Sequence, residues 1–221
     1  MSIGFNETFP NTTKPQLLIQ GSKFESNHAN FSGNCTSVSA ILSRKVYSQR
    51  GGGMACYFAA TGVEVAIVVE RCMFVDNKAQ DSGGGVYINL SGVSGSFANM
   101  TFRETEFSGN YARSGGGLEV TFDTTKSVLL PSYLLVQDCN FSGNTARYGG
   151  AMKPIQISSQ GNLNRIRVTG SKFHKNCGTV GAAMHLESFF AGLGRFMYMN
   201  SEQNATRINR LSTDRIVIEN W

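Results

Sequence analysis

Hydrophobic and polar positions along the chain repeat with a period of about 33 residues. The repeated unit has an apolar segment, then the pattern Phe-x-x-Asn-x-Ala, and then Gly-Gly-Gly or Gly-Gly-Ala before another apolar residue. The last copy is the least regular, with Gly178 in place of the alanine and Gly181-Ala182-Ala183 in place of the triplet. Short alternating runs and glycine triplets are typical of strands and turns, and they would break a helix. The pattern therefore predicts short strands stacked with one repeat per coil, which is a parallel β-helix.

Five copies of the whole repeat are present, and their phenylalanines are 50, 33, 34 and 32 residues apart. We expect the phenylalanines to stack inside the solenoid and the asparagines to form a corner ladder in which each amide bonds to the next coil. The predicted interior ladder contains Phe24, Phe74, Phe107, Phe141 and Phe173. The predicted corner ladder contains Asn27, Asn77, Asn110, Asn144 and Asn176.

These repeats predict an all-β fold: a right-handed, single-stranded parallel β-helix of about five to six coils that is open at its C-terminal end. We expect residues 1–16 to be an N-terminal segment that could partly cap the array, and residues 17–221 to be a β-helix domain that is cut in mid-repeat, with insertions at about 30–50 and 187–214. Because open strand edges favour association, we expect flanking β-helix repeats of a longer chain to be partners.

One pair of motifs, Phe141-Ser142-Gly143-Asn144 followed by Gly149-Gly150-Ala151-Met152, carries a resemblance to a known family. It resembles the repeat of the chlamydial polymorphic outer-membrane proteins, and the similarity extends over about Leu17 to Met184. The resemblance implies a surface-exposed repeat region that acts as an adhesin.

The chain contains eight Asn-x-Ser/Thr sequons, which are acceptors for N-glycosylation in secreted proteins. They begin at Asn6, Asn11, Asn30, Asn34, Asn89, Asn99, Asn140 and Asn204. This number indicates an extracellular or cell-surface glycoprotein of a eukaryote. The first residues show no signal peptide, so we expect the segment to belong to a longer protein.

The net charge of +5 and the isoelectric point near 9.0 favour acidic partners. Arg113 and Arg147 follow the repeat alanine in two successive coils, which makes them candidates for binding an acidic glycan or a protein at the cell surface. The alternative is dispersed solubilising charge. The basic residues do not form runs interleaved with aromatics, so we expect no nucleic-acid partner, and no apolar stretch is long enough to span a membrane.

Catalytic chemistry is a rival hypothesis because polysaccharide-degrading enzymes of the pectate-lyase-like fold use carboxylates that converge on one groove. Glu70, Glu104 and Asp138 lie three or four residues before successive phenylalanines and could form an acidic stripe. The alternative is an outward row of solvated acids at a strand end.

The five cysteines lack a Cys-x-x-Cys motif or zinc-like spacing, and we expect no metal site and no cofactor. Cys35 and Cys56 flank the first insertion and are a candidate disulfide pair. The sequence thus favours a non-catalytic extracellular or cell-surface scaffold for adhesion or for glycan or protein binding. The alternatives are a polysaccharide-degrading enzyme and a structural stalk.

Overall fold

A computed structural model of the chain describes nine stretches of sequence. They are residues 2–5, 16–29, 50–58, 64–91, 97–123, 132–158, 164–190, 193–199 and 216–219. These stretches contain strands, turns and bends and no helix.

Three sheets run along the length of the molecule, and each contains one strand from every turn. Sheet I contains β2 (Gln16–Gln20), β6 (Glu64–Glu70), β10 (Phe97–Arg103), β13 (Tyr133–Gln137), β17 (Arg165–Thr169) and β22 (Ile216–Glu219). Sheet II contains β3 (Lys23–Glu25), β7 (Met73–Val75), β11 (Glu106–Ser108), β14 (Asn140–Ser142) and β18 (Lys172–His174). Sheet III contains β1 (Ser2–Phe5), β5 (Met54–Phe58), β9 (Val86–Ser91), β12 (Leu118–Asp123), β16 (Met152–Ser158), β20 (Met184–Phe190) and β21 (Leu193–Met199).

A fourth, short side of each turn connects sheet II to sheet III. It is formed by β4 (His28–Ala29), β8 (Lys78–Ala79), β15 (Thr145–Tyr148) and β19 (Cys177–Val180), with isolated bridges at Tyr111 and Ser114 in between. We number the turns from the N-terminal end: the first (16–29 and 50–58), second (64–91), third (97–123), fourth (132–158) and fifth (164–190).

All strand pairings are parallel except the pairing of β20 with β21, which is antiparallel. The prediction of an all-β parallel solenoid is confirmed. About three turns, the second to the fourth, have parallel neighbours on both sides in all three sheets. This number is smaller than the predicted five to six coils because the repeat count included the end turns, which are enclosed on one side only. The right-handed sense of the winding stays a prediction.

The predicted insertion at 187–214 begins inside β20, whose last residues form the antiparallel pair with β21. At the other end, β1 pairs with β5 and so extends sheet III beyond the first turn. Most of the insertion at 30–50 lies outside the described residues.

The five repeated phenylalanine rings form a single stack inside the solenoid. Successive ring centroids are 4.6 to 5.2 Å apart, and the interplanar angles are 2° to 11°. Phe74, Phe107 and Phe141 are fully buried, whereas Phe24 and Phe173 at the two ends of the stack are partly exposed. The stack lies within one continuous apolar core.

The repeated asparagines hold the corner between sheet II and the short side. The amide nitrogen of Asn110 donates to Phe74 O at 2.7 Å and to Asn144 Oδ1 at 2.9 Å. Asn110 Oδ1 accepts two hydrogen bonds from Asn77, one from its backbone and one from its side chain, both at 3.0 Å. Asn77, Asn110 and Asn144 therefore each tie their own turn to both neighbours.

A glycine-rich corner leads each turn into sheet III. Gly83 has φ +64°, and a Cβ atom at this position would lie 2.3 Å from Val86 O. Gly84 has no room for a side chain either, because its Cβ would lie 2.4 Å from Gly116 O of the next turn. The glycine triplets are therefore required by close backbone contact.

Replacing Asn110 with alanine should destabilise the protein by about 3–5 kcal/mol, because it leaves a buried carbonyl and two buried donors without partners. Urea unfolding of N110A against wild type measures the loss. Asn140→Ala is the matched control, since Asn140 is exposed at the start of β14. Equal stabilities of the two variants would contradict a structural role for the ladder.

Candidate functional site

Arg113 and Arg147, which we call the basic pair, lie on the short side of the third and fourth turns. The backbone nitrogen of Arg147 donates to Arg113 O at 3.0 Å, so the two residues are neighbours on adjacent turns. Both are exposed, and neither forms an ion pair with a carboxylate in the described part of the chain. Their guanidinium groups are therefore available to an anion from solvent.

Two tyrosines flank the basic pair. The side chain of Tyr111 is 52% exposed, and the guanidinium carbon of Arg147 lies 5.2 Å from the ring centroid of Tyr148. The guanidinium over this ring is exposed and offers a planar donor fork that can bind a carboxylate or sulfate with two hydrogen bonds. An exposed aromatic ring beside it offers a surface for the apolar face of a sugar.

Asp81 is the corresponding residue of the second turn, since its carbonyl oxygen accepts from Ser114 N at 2.9 Å. Its carboxylate would oppose anion binding at Arg113 if it were unpaired. Instead, Asp81 Oδ2 lies 3.1 Å from Arg50 Nε. The nearest acid in the row is therefore neutralised by another arginine.

A second group of polar side chains, which we call the charged column, projects from the outer side of sheet III. It contains Tyr87, Glu119, Lys153 and His185 on four successive turns; Glu119 is in register with Tyr87 and Lys153. All four residues are 2% to 6% exposed. Sequence reasoning missed the column because a polar residue between two apolar ones in a strand normally indicates a solvent-facing position.

The lower end of the column is a compact ionic contact. Lys153 Nζ lies 2.9 Å from Glu187 Oε1, and His185 Nε2 lies 3.5 Å from the same oxygen. The ring of Tyr148 covers both, with its centroid 5.1 Å from Lys153 Nζ and 5.6 Å from the His185 ring centroid. At the upper end, Arg50 donates to the Tyr87 hydroxyl at 2.7 Å.

Burial dominates the protonation of this column. It raises the pKa of Glu119, although the hydroxyl groups of Ser114 and Ser82 and the positive charges of Lys153 and Arg50 act in the opposite direction. Glu119 Oε2 is buried and accepts no hydrogen bond from the residues that the structure describes.

Burial also lowers the pKa of His185 from its ordinary value of 6.5 to about 4, while the carboxylate of Glu187 opposes this shift. The imidazole is therefore neutral at physiological pH. Because Glu119 and His185 are almost inaccessible to solvent, a polysaccharide cannot reach them, and the column contributes to packing rather than to an open reaction site.

The residues of the predicted acidic stripe do not form one row. Glu70 is in register with Arg103 of the next turn and lies 3.1 Å from its guanidinium and 3.6 Å from that of Arg71. Glu104 and Asp138 lie at the following corner, where φ is +49° and +51°. The stripe prediction is wrong because Glu70 is one position further from its phenylalanine, which places it in another row with a cationic neighbour.

Three of the eight sequons lie in described segments. Asn140 is exposed at the start of β14, whereas Asn89 and Asn99 are partly buried within β9 and β10. The sequons at Asn6, Asn11, Asn30, Asn34 and Asn204 lie outside the described residues. Asn140 is therefore the one with the clearest access to solvent among the three.

Cys56 is a free cysteine whose side chain faces the core from β5, and burial raises the pKa of its thiol to about 12. The disulfide predicted between Cys35 and Cys56 stays a prediction, because it depends on a residue that is not among those described. Cys35 itself lies outside the described residues. Cys72 and Cys139 are buried free cysteines, and Cys177 is an exposed one.

Comparisons with family models, with curated proteins and with solved structures found no match. Within the segments that the structure covers, no three His, Cys, Asp or Glu side chains are grouped so that they could hold a metal ion. The same segments contain no helix of the length and apolarity needed to cross a membrane.

The stability of the protein should fall as pH decreases from about 6.5 to about 4, because the folded state resists protonation of His185 whereas the unfolded state does not. The stabilisation is fully present above the unfolded pKa, and its loss should be about 1–3 kcal/mol. Urea midpoints across this range measure it. His185→Gln should flatten the curve, and His174→Gln, at an exposed position, should not. Parallel curves for wild type and H185Q would contradict the assignment.

Maleimide treatment of the native protein should modify Cys177 and leave Cys56, Cys72 and Cys139 unmodified, because the latter three are at most 1% exposed. Peptide mapping by mass spectrometry distinguishes the four sites. Denaturation before labelling is the control and should expose all of them. Rapid native labelling of Cys56 would show that β5 does not face the core.

Proposed function

We propose that the chain is a non-catalytic repeat scaffold of the extracellular space or cell surface that binds acidic glycans through the basic pair. The observation that carries this proposal is the exposure of Arg113 and Arg147 on adjacent turns without a described carboxylate as partner. Two guanidinium groups with a fixed backbone spacing suit a ligand that carries repeated carboxylate or sulfate groups. The exposed ring of Tyr111 adds a stacking surface for a sugar.

The extracellular location rests on the excess of sequons and on the exposure of Asn140. An adhesin role is what the resemblance of the repeats to the chlamydial polymorphic outer-membrane proteins implies. Four free cysteines are consistent with several compartments, so they do not decide the location.

The enzymatic alternative has less support. Hydrolysis or elimination on a polysaccharide requires carboxylates that converge on an accessible groove. Glu70 is held by Arg103 and Arg71, and Glu119 is 3% exposed. A stalk without ligand is the remaining alternative, and it predicts no saturable binding at the basic pair.

Binding to an immobilised sulfated polysaccharide tests the proposal. Wild type should bind saturably, and binding should weaken when salt is raised from about 0.1 M to about 1 M, where the Debye length falls from about 10 Å to about 3 Å. The double variant R113Q/R147Q should lose about ten- to thirtyfold in affinity.

The matched control is R165Q/R167Q, which removes the same charge from exposed positions on sheet I. Equal losses of affinity in the two double variants would show that only net charge matters, which would contradict a site at the basic pair. Release of cleaved or unsaturated oligosaccharides by the wild-type protein would contradict the non-catalytic assignment, and the absence of any binding would favour the stalk.

A further inference from the structure

The second turn places another cation, Lys78, on the short side that carries the basic pair. Lys78 forms a parallel bridge with Tyr111, and Tyr111 in turn forms one with Thr145. Since Arg113 is two residues after Tyr111, and Arg147 two after Thr145, Lys78 lies on the turn before Arg113 but two positions before the row of the basic pair. Neighbouring strands are about 4.8 Å apart and successive strand residues about 3.3 Å apart, so the three cations extend for about 10 Å along the solenoid axis and about 7 Å across it.

The backbone under these residues is held on each turn. Lys78 N donates to Asn27 O at 2.8 Å, Tyr111 N to Asn77 O at 2.9 Å, and Thr145 N to Asn110 O at 2.8 Å. The acceptors are the residues of the corner ladder. The rise between successive cations is therefore set by the fold and does not depend on the ligand.

The three cations differ from the other basic residues that the structure describes in the second to fourth turns, which are paired with carboxylates. Arg71 and Arg103 contact Glu70, and Lys153 contacts Glu187. In the segments covered by the structure, Lys78, like the basic pair, forms no ion pair. The unpaired positive charge of these turns thus follows a bent line on the short side, from Lys78 to the basic pair.

On the third and fourth turns no side chain projects from the corner beside this line, because the corner residues are Gly109 and Gly143. On the second turn the same corner position is Asp76, which is exposed and has φ +52°. Its carboxylate lies over Gly109, since a Cβ atom there would be 2.1 Å from Asp76 Oδ1. Asp76 is therefore an acid next to the Lys78 end of the line.

We propose that Lys78, Arg113 and Arg147 form a polyanion track for a linear sulfated or carboxylated polysaccharide that crosses three successive turns of the short side. The ring of Tyr111, between Lys78 and Arg113, stacks against a sugar unit. This inference rests on the proposed function and adds to it the direction of the ligand and a third contact. A polysaccharide fits better than a nucleic acid because one aromatic ring is exposed on the track rather than a series on which successive bases could stack.

A length series of sulfated oligosaccharides tests the track by isothermal titration calorimetry. Affinity should increase from disaccharide to hexasaccharide, because longer ligands reach cations on all three turns. Lys78→Gln should leave disaccharide affinity nearly unchanged and reduce hexasaccharide affinity about fivefold. Lys172→Gln is the control, because Lys172 is an exposed lysine on sheet II away from the track, and it should have no effect.

Asp76→Asn provides a gain of affinity that a structural defect cannot mimic. Asparagine tolerates the positive φ of this corner, so the fold is retained while one repulsive charge is removed. Hexasaccharide affinity should rise about two- to fivefold.

The outcomes separate this inference from the proposed function. Oligosaccharide binding that depends on Arg113 and Arg147 but is unaffected by K78Q and D76N would overturn the track and leave the proposed function in place. A wild-type protein that binds no sulfated oligosaccharide of any length would overturn both. Tighter binding of single-stranded DNA with the same residue dependence would replace the polysaccharide by a nucleic acid.

Discussion

The hydrogen bonds of the asparagine ladder are the constraint on which the rest of this structure depends. The side chains of the ladder in the second to fourth turns contact the turn before and the turn after, as Asn110 does with Phe74, Asn77 and Asn144. A turn that was one residue out of register would leave these groups buried without partners, at a cost of about 1–3 kcal/mol each. The ladder therefore keeps every turn in phase, and the stacked phenylalanine rings follow from that phase.

This constraint explains which features could be predicted from the sequence. Phenylalanine, asparagine and glycine recur because each contacts the same position one turn away. Their spacing along the sequence therefore predicts the length of a turn and the stacking of the turns. Surface rows obey the same register but have no recurring residue type to mark it. Glu70 lies four residues before its phenylalanine and Glu104 three before its own. The predicted stripe treated the two positions as equivalent, whereas the neighbour of Glu70 on the next turn is Arg103.

The charged column could not be predicted for a different physical reason. Glu119 lies between Leu118 and Val120, and such alternation normally indicates one buried and one solvated face. Here the glycine corner folds back over the outer side of sheet III: a Cβ atom at Gly115 would lie 2.7 Å from Glu119 Cβ. The burial of the column is a tertiary effect, so it cannot be predicted from the pattern of apolar and polar residues within one strand. The buried polar groups of the column have partners: Lys153 forms an ion pair with Glu187, and Arg50 donates a hydrogen bond to the Tyr87 hydroxyl.

A solenoid of this kind separates the residues that determine the fold from those that determine binding. On the short side, alanine is buried at Ala79, Ala112 and Ala146, while the row two residues before the basic pair changes from exposed Lys78 and Tyr111 to half-buried Thr145. Substitution in that row does not disturb the ladder, because the ladder uses backbone groups and inward side chains. The spacing of ligand contacts along the axis is consequently constant, and the identity of each contact is free to vary. A polymer with regularly spaced charges is the ligand class that benefits most from such a surface, since each added turn contributes a contact at a distance already set by the fold.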